Sequence, residues 1–186
     1  MSRRREQVLD AAIEVLATEG SRGLTFQAVD RAARVPAGTA SNSFRTRSAL
    51  VMGIVNHLVE LDQRDWQAVG GMVRPHTRDA LAQAMIGIIG HALGPGRNRT
   101  IARYTLFVEA AARPEFRAPI ATGRAAVDSW ITPWLQRLGS SEPAAHCGIL
   151  LDHIDGMILH QITWPQAEFD PGPGIDALLT GLLPPS

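Results

Sequence analysis

Residues 25–50 read TFQAVDRAARVPAGTASNSFRTRSAL. Thr25 can cap a helix through its side-chain oxygen. Phe26, Val29, Ala32 and Ala33 then recur at helical spacing. Val35-Pro36-Ala37-Gly38 ends that helix, because the residue before a proline is pushed out of the α region. Pro36 suits the first turn of the next helix. The segment Ala37 to Phe44 makes about two turns, and its polar side chains are short: Thr39, Ser41, Asn42 and Ser43. Such a helix lets its backbone approach a partner surface closely. A short helix, a tight turn and a second short helix form a DNA-reading geometry, with the second helix in the major groove and the first across the backbone. On that geometry the expected contacts are Thr25, Gln27, Ala37, Gly38, Thr39, Ser41, Asn42 and Ser43, with Arg4, Arg45 and Arg47 where phosphates run. Asn can bond an adenine edge bidentately, and Ser and Thr can bond a base or a phosphate.

Outward from this stretch, Arg3 to Glu19 is an amphipathic helix with Val8, Leu9, Ala12, Ile13 and Leu16 on its inner stripe, ended by Gly20 and Gly23. Arg3, Arg4 and Arg5 fit either a phosphate or minor-groove contact or a solvated terminus. Arg47 to about Met72 reads as a longer helix, with Leu50, Ile54, Leu58 and Leu61 on one face.

From Arg4 to about Leu58 the chain resembles the N-terminal domain of the tetracycline-repressor (TetR) family. The matching residues are Val8-Leu9-Asp10-Ala11-Ala12, Gly20, Leu24-Thr25, Val29, Ala33, Val35, Gly38-Thr39, Phe44, Arg47 and Leu50. Three positions depart from the pattern. Arg34 stands where the family usually has glycine, Ser41 where it has tyrosine and Arg47 where it has lysine. The resemblance implies a dimeric DNA-binding regulator that takes a small, largely apolar effector in its C-terminal part.

Composition is compatible with this. A chain of 186 residues, 45% hydrophobic and with zero net charge, can bury a sizeable core and is not of the disordered class. All 18 basic residues are arginine, which a GC-rich coding sequence explains without appeal to binding. Residues 1–50 carry 8 Arg against 5 acids, whereas residues 51–186 carry 10 Arg against 13, so the positive end is the one with the turn motif. Cys147 is the sole cysteine, which excludes an internal disulfide framework. No signal-peptide core follows the N-terminal arginines and no run is long enough to span a membrane, so a cytoplasmic location is expected.

Beyond residue 72 the breaks Gly94-Pro95-Gly96, Pro114, Pro143, Pro165 and Pro171-Gly172-Pro173-Gly174 delimit further helices at 77–93, 98–113, 115–139, 142–164 and 175–183. Pro133 should kink or split its helix, and Ser141 is a candidate cap. Nothing reads as a strand. The expected fold is all-α with about nine helices. Residues 1–47 form a helix-turn-helix DNA-binding domain, and residues 48–186 form a helical effector-binding and dimerisation domain.

Two groups in the second part fit more than one role. His146, His153 and His160 recur every seven residues with Asp152 and Asp155 nearby. They fit packing at a subunit interface, a pocket wall, or a pH- or metal-sensing site. Steps of about 10 Å along a helix keep two of them from sharing a metal unless a second chain contributes. Trp66, Tyr104, Phe107, Trp130 and Trp134 fit either plain core or the lining of an apolar effector cavity, with Met85, Ile89, His153 and Met157 as further lining. Asp155-Gly156 resembles a motif of the family's dimer-forming helix, so the resemblance implies a homodimer through the helix at 142–164 and the last helix.

No phosphate loop, nucleophile elbow or metalloprotease helix is present. Cys147 and His146 are adjacent on a helix and point about 100° apart, a poor nucleophile–base pair. No catalytic residue, metal site or cofactor is expected. The reading is a sequence-specific, ligand-responsive repressor that binds a near-palindromic DNA operator as a dimer. The alternative is a helical ligand-binding or interaction protein whose DNA-reading head does not function.

Overall fold

The described residues form nine α-helices and one 3-10 turn, with no strand, and glycine or proline marks most of the breaks between them. The computed structural model describes residues 3–72 and 75–184, with side chains throughout those ranges except at 66–72. The helices are α1 (Arg3–Gly23), α2 (Phe26–Ala33), α3 (Thr39–Ser43), α4 (Arg47–Met72), α5 (Arg78–Leu93), α6 (Arg97–Ala112), α7 (Arg117–Arg137), α8 (Pro143–Thr163) and α9 (Gly172–Leu182). They fall into two compact units. One comprises Met1–Asp62 with Arg97–Gly123, and the other Gln63–Gly96 with Arg124–Ser186.

In the first unit, α1 is helical to Gly20, where φ is 68° and ψ −174°, so the expected stop is a break followed by a last turn. Its apolar stripe is wide enough to serve two neighbours: α1 packs on α2 and on α6. One core results, running from Val8, Leu9 and Ile13 through Val29, Phe44 and Ile54 to Ala102, Leu106 and Phe116. Residue 47 is therefore not a packing boundary.

Two local expectations change. On α2, Ala32 is exposed, while Ala28, Val29, Asp30 and Ala33 are buried. On a helix with about 3.6 residues per turn, 29, 30 and 33 share one face and 32 falls outside it, while the buried Ala28 lies off that face as well. The expected helix from Glu115 starts instead at Arg117, after a 3-10 turn at Pro114–Phe116 that seats the fully buried Phe116. Arg117 closes the end of α6, donating from Nε to the Ala110 carbonyl (3.1 Å) and from Nη2 to that of Ala111 (3.0 Å).

In the second unit, α5 packs on α8 and α9. Its buried residues include Leu81, Met85 and Ile89 of α5, Ile131 and Leu135 of α7, Leu150 and Ile154 of α8, and Ile175 of α9. Thr77 caps α5, accepting from the Ala80 N–H at 3.1 Å. α7 runs through Pro133 without being split. It ends on the left-handed Gly139, whose following residue donates back to Leu135 at 3.0 Å. Pro143 opens α8 at its first position, with Glu142 rather than Ser141 at the cap. Ser140 instead pairs through Oγ with His146 Nδ1 at 2.7 Å.

Candidate nucleic-acid interface

The turn is built from both sides. Thr25 caps α2, its Oγ1 accepting from the Ala28 N–H at 3.1 Å. At the other end Arg34 adopts the left-handed conformation (φ 53°, ψ 46°). The Arg34 N–H donates to the Arg31 carbonyl and the Val35 N–H to that of Asp30, each at 3.1 Å. This double closure is usually made by glycine. Arg34 is the one non-glycine residue with positive φ among the described residues. A side chain there costs roughly 1–2 kcal/mol, part of which glycine returns through unfolded-chain entropy. Arg34→Gly is therefore expected to raise stability by about 0.5–1 kcal/mol, seen as a higher urea midpoint at unchanged slope. A lower midpoint would contradict the strain.

α3 has five residues and no side-chain cap of its own. Its N-terminus is held instead by Asp30 of α2, which is 5% exposed. Asp30 Oδ2 accepts from the Gly38 N–H and Oδ1 from the Ala40 N–H, both at 2.7 Å. The C-terminus is held by Arg5 of α1, whose Nη1 donates to the Ser43 carbonyl at 3.2 Å. The Arg5 guanidinium also lies 4.2 Å from the centre of the buried Phe44 ring. A carboxylate at the N-terminus and a guanidinium at the C-terminus match the helix dipole. Gln7 of α1 donates to the Ala33 carbonyl at 2.9 Å and fixes α2 in the same way. Asp30 and Gln7 escaped the sequence reading, and Arg5, expected at a phosphate, a minor groove or a solvated terminus, is half-buried against α3 instead. A charged residue on the inner face of α2 was the available signal for Asp30.

Thr25, Gln27, Ala37, Gly38 and Ser41 line a cleft of about 660 Å³ between α2 and α3, together with Asp30 and Arg31. On α3, Ala40 is buried, Thr39, Ser41 and Ser43 are half-buried, and Asn42 is exposed. Arg4, Arg31, Arg34 and Arg45 are exposed, with no ion pair among the described residues. Arg47 is differently placed. Its Nη2 donates to the Ser21 carbonyl (2.6 Å) and hydroxyl (2.9 Å) and lies 3.9 Å from Glu109 Oε1 on α6. The Ser21 hydroxyl also bonds Glu109. The first residue of α4 is thus anchored to both α1 and α6.

The candidate effector residues divide between the units. Met85, Ile89 and Trp134 are buried, and Trp130, His153 and Met157 half-buried, in the second. Gly174 of α9 lies against two of them: a Cβ there would stand 3.3 Å from His153 Nε2 and 3.5 Å from Met157 Sδ. Tyr104 and Phe107 belong to the first unit and meet edge to face at 5.8 Å, with Phe107 38% exposed. The Trp66 side chain lies outside the described residues. The histidine stripe separates into three settings: His146 on Ser140, His153 under α9, and an exposed His160 tilted against Trp164. Burial pushes the Cys147 thiol up, away from a reactive thiolate, with Asp128 adding to the effect.

Residues 76–185, more than half of the chain, match the family model described as "Tetracyclin repressor-like, C-terminal domain". The chain belongs to the TetR family. Solved structures agree in fold. A TetR-family member from Streptomyces coelicolor A3 is 25% identical, with 98% of this chain and 99% of that one covered and a TM-score of 0.74. A transcriptional regulator from Rhodococcus sp. Rha1 is 20% identical, with coverage of 96% and 95% and a TM-score of 0.78. The multidrug binding protein EbrR, solved with ethidium, is 23% identical, with coverage of 97% and 99% and a TM-score of 0.73. No curated protein matches the chain. TetR-family proteins are transcriptional regulators and not enzymes. Among the described residues no helix is long and apolar enough to cross a membrane.

Proposed function

We propose that this TetR-family chain is a cytoplasmic, ligand-responsive repressor that binds a near-palindromic operator as a homodimer. The observation that carries the reading is α3 itself. It is held at one end by Asp30 and at the other by Arg5, while its exposed Asn42 is left for a partner. A helix this short makes few base contacts, each good bidentate pair giving about 1–3 kcal/mol. Affinities near 10⁻⁸ M therefore call for about two half-sites, roughly 34–36 Å apart or a multiple of that.

The second subunit would dock on α8 and α9. Ile149 and Leu159 are 47% and 43% exposed there, and Gly148, Gly156 and Gly181 face open space, so another backbone can approach closely. The effector would be small and largely apolar, held in the second unit by Met85, Ile89, Trp130, Trp134, His153 and Met157. EbrR, solved with the aromatic cations ethidium, proflavin and malachite green, supports the small size and apolar aromatic surface of that ligand class. α4 runs from the DNA-reading unit into the second, so a shift of α4 would change the spacing of two recognition helices. Effector and DNA must then weaken each other equally.

The test is fluorescence anisotropy of the intact protein on labelled DNA from upstream of its own gene, against scrambled DNA, over a salt series. Preference for the upstream DNA at near-physiological salt, with two subunits per site, is expected. Equal binding to both, lost as salt rises, would leave only nonspecific charge contact. The alternative of a ligand-binding or interaction protein would then stand.

A further inference from the structure

We propose that the half-site is read through adenine, that Asn42 determines this specificity, and that α3 makes no direct guanine contact. The proposal rests on the DNA-binding reading above and names the base that reading leaves open.

A hydroxyl carries one donor hydrogen and two acceptor lone pairs. Thr39 Oγ1 donates its proton to the Pro36 carbonyl at 2.6 Å. Ser41 Oγ donates to the Gly38 carbonyl at 3.0 Å, and Ser43 Oγ to that of Thr39 at 2.9 Å. All three hydroxyls are therefore turned inward as donors and offer only lone pairs outward. Asn42 is the exposed residue of the helix, and nothing among the described residues pairs with its carboxamide. It alone on α3 presents a donor and an acceptor side by side.

The major groove supplies the complement. Guanine shows two acceptors, N7 and O6, and calls for a paired donor such as arginine. α3 carries no cation. Adenine shows the N7 acceptor beside the N6 amino donor, which a carboxamide matches bidentately. The outward lone pairs of Thr39, Ser41 and Ser43 suit amino donors on adenine or cytosine. Turning one of these hydroxyls to serve guanine would break its bond to the backbone. Rotation of the whole helix is opposed by Asp30 at one end and Arg5 at the other. Gln27 on the cleft wall is a second exposed carboxamide, but it lies on the helix that crosses the backbone.

The experiment is selection of the full-length protein on a random duplex pool. Anisotropy on the selected site then follows for the native protein and Asn42→Ala. Asn42 is exposed, so the variant should keep the native melting temperature. The pool should converge on a half-site with an adenine at which Asn42→Ala loses about 10- to 100-fold in affinity for each half-site. Replacing that base by 7-deazaadenine removes only N7. It should weaken the native protein about tenfold and leave Asn42→Ala unchanged. A position that depends on Asn42 and prefers guanine would overturn the proposal. So would equal binding by Asn42→Ala, or equal sensitivity of both proteins to 7-deazaadenine. In each of those cases DNA recognition itself survives. A pool that never enriches would overturn the DNA-binding reading and this proposal with it.

Discussion

Asp30→Ala is expected to lower the stability of the DNA-reading unit by about 2–4 kcal/mol and to abolish operator-specific binding. Asp30 is 5% exposed and makes two bonds of 2.7 Å to the N–H groups of Gly38 and Ala40. Hydrogen bonds to an ionised group contribute roughly 1.5–3 kcal/mol each, and removing the acceptor leaves the donors to be resolvated. Ala40 is fully buried, so water cannot replace the lost oxygen there. Asp30→Asn should be milder. Its carboxamide keeps one acceptor but turns a donor toward the second N–H. Nonspecific binding through the exposed arginines should persist in both variants, since phosphate contacts do not need a fixed α3. Urea melts and anisotropy on operator and scrambled DNA read the two effects. An Asp30→Ala protein with native midpoint and native operator preference would show that the carboxylate does not hold the helix.

Phe44→Ala is expected to cost about 3–5 kcal/mol, a large share of the ~5–15 kcal/mol available to a domain. Phe44 follows α3 directly and is 2% exposed. The Arg5 guanidinium lies over its ring, and Gly53 of α4 lies against it. A Cβ on Gly53 would stand 2.5 Å from Phe44 Cε1 and 3.2 Å from Leu9 Cδ2. Alanine favours a helix by about 1 kcal/mol over glycine, yet Gly53→Ala should still destabilise by about 1–3 kcal/mol, because a buried ring must move. In a Phe44→Leu background the same change should be better tolerated, giving a non-additive pair. Additive losses in urea melts would show that the notch at Gly53 does not serve Phe44.

These two sites show where sequence reading reached and where it stopped. Phe44 was legible as part of the family resemblance, because a buried aromatic after a short polar helix is a local pattern. Gly53 was not, since a glycine within a helix reads only as a weak point until the ring against it is known. The residues from Thr25 to Ala33 set out the cap and the helix correctly, but its stop is the left-handed Arg34 rather than Val35-Pro36, and Pro36 lies in the turn rather than in the first turn of α3. They also carried Asp30, whose two partners lie eight and ten residues away and belong to the next helix.

What the sequence by itself determined is the all-helical class, the number of helices, and most of their limits. Those are local properties: the threonine cap at 25, glycine and proline breaks, and apolar residues at helical spacing. It also pointed to the family through the head, although the family model matches residues 76–185. Only the tertiary structure decided what those helices hold in common. The core of the head extends into α6, and Arg47, free to meet phosphate on a sequence reading, is bonded to Ser21 and held near Glu109. Tyr104 and Phe107 fall in a different unit from the other candidate effector residues. Each of these depends on side chains 20 to 90 positions apart, roughly, meeting in space. Such encounters are set by how apolar faces are shared among helices, and spacing along one helix carries no record of that sharing.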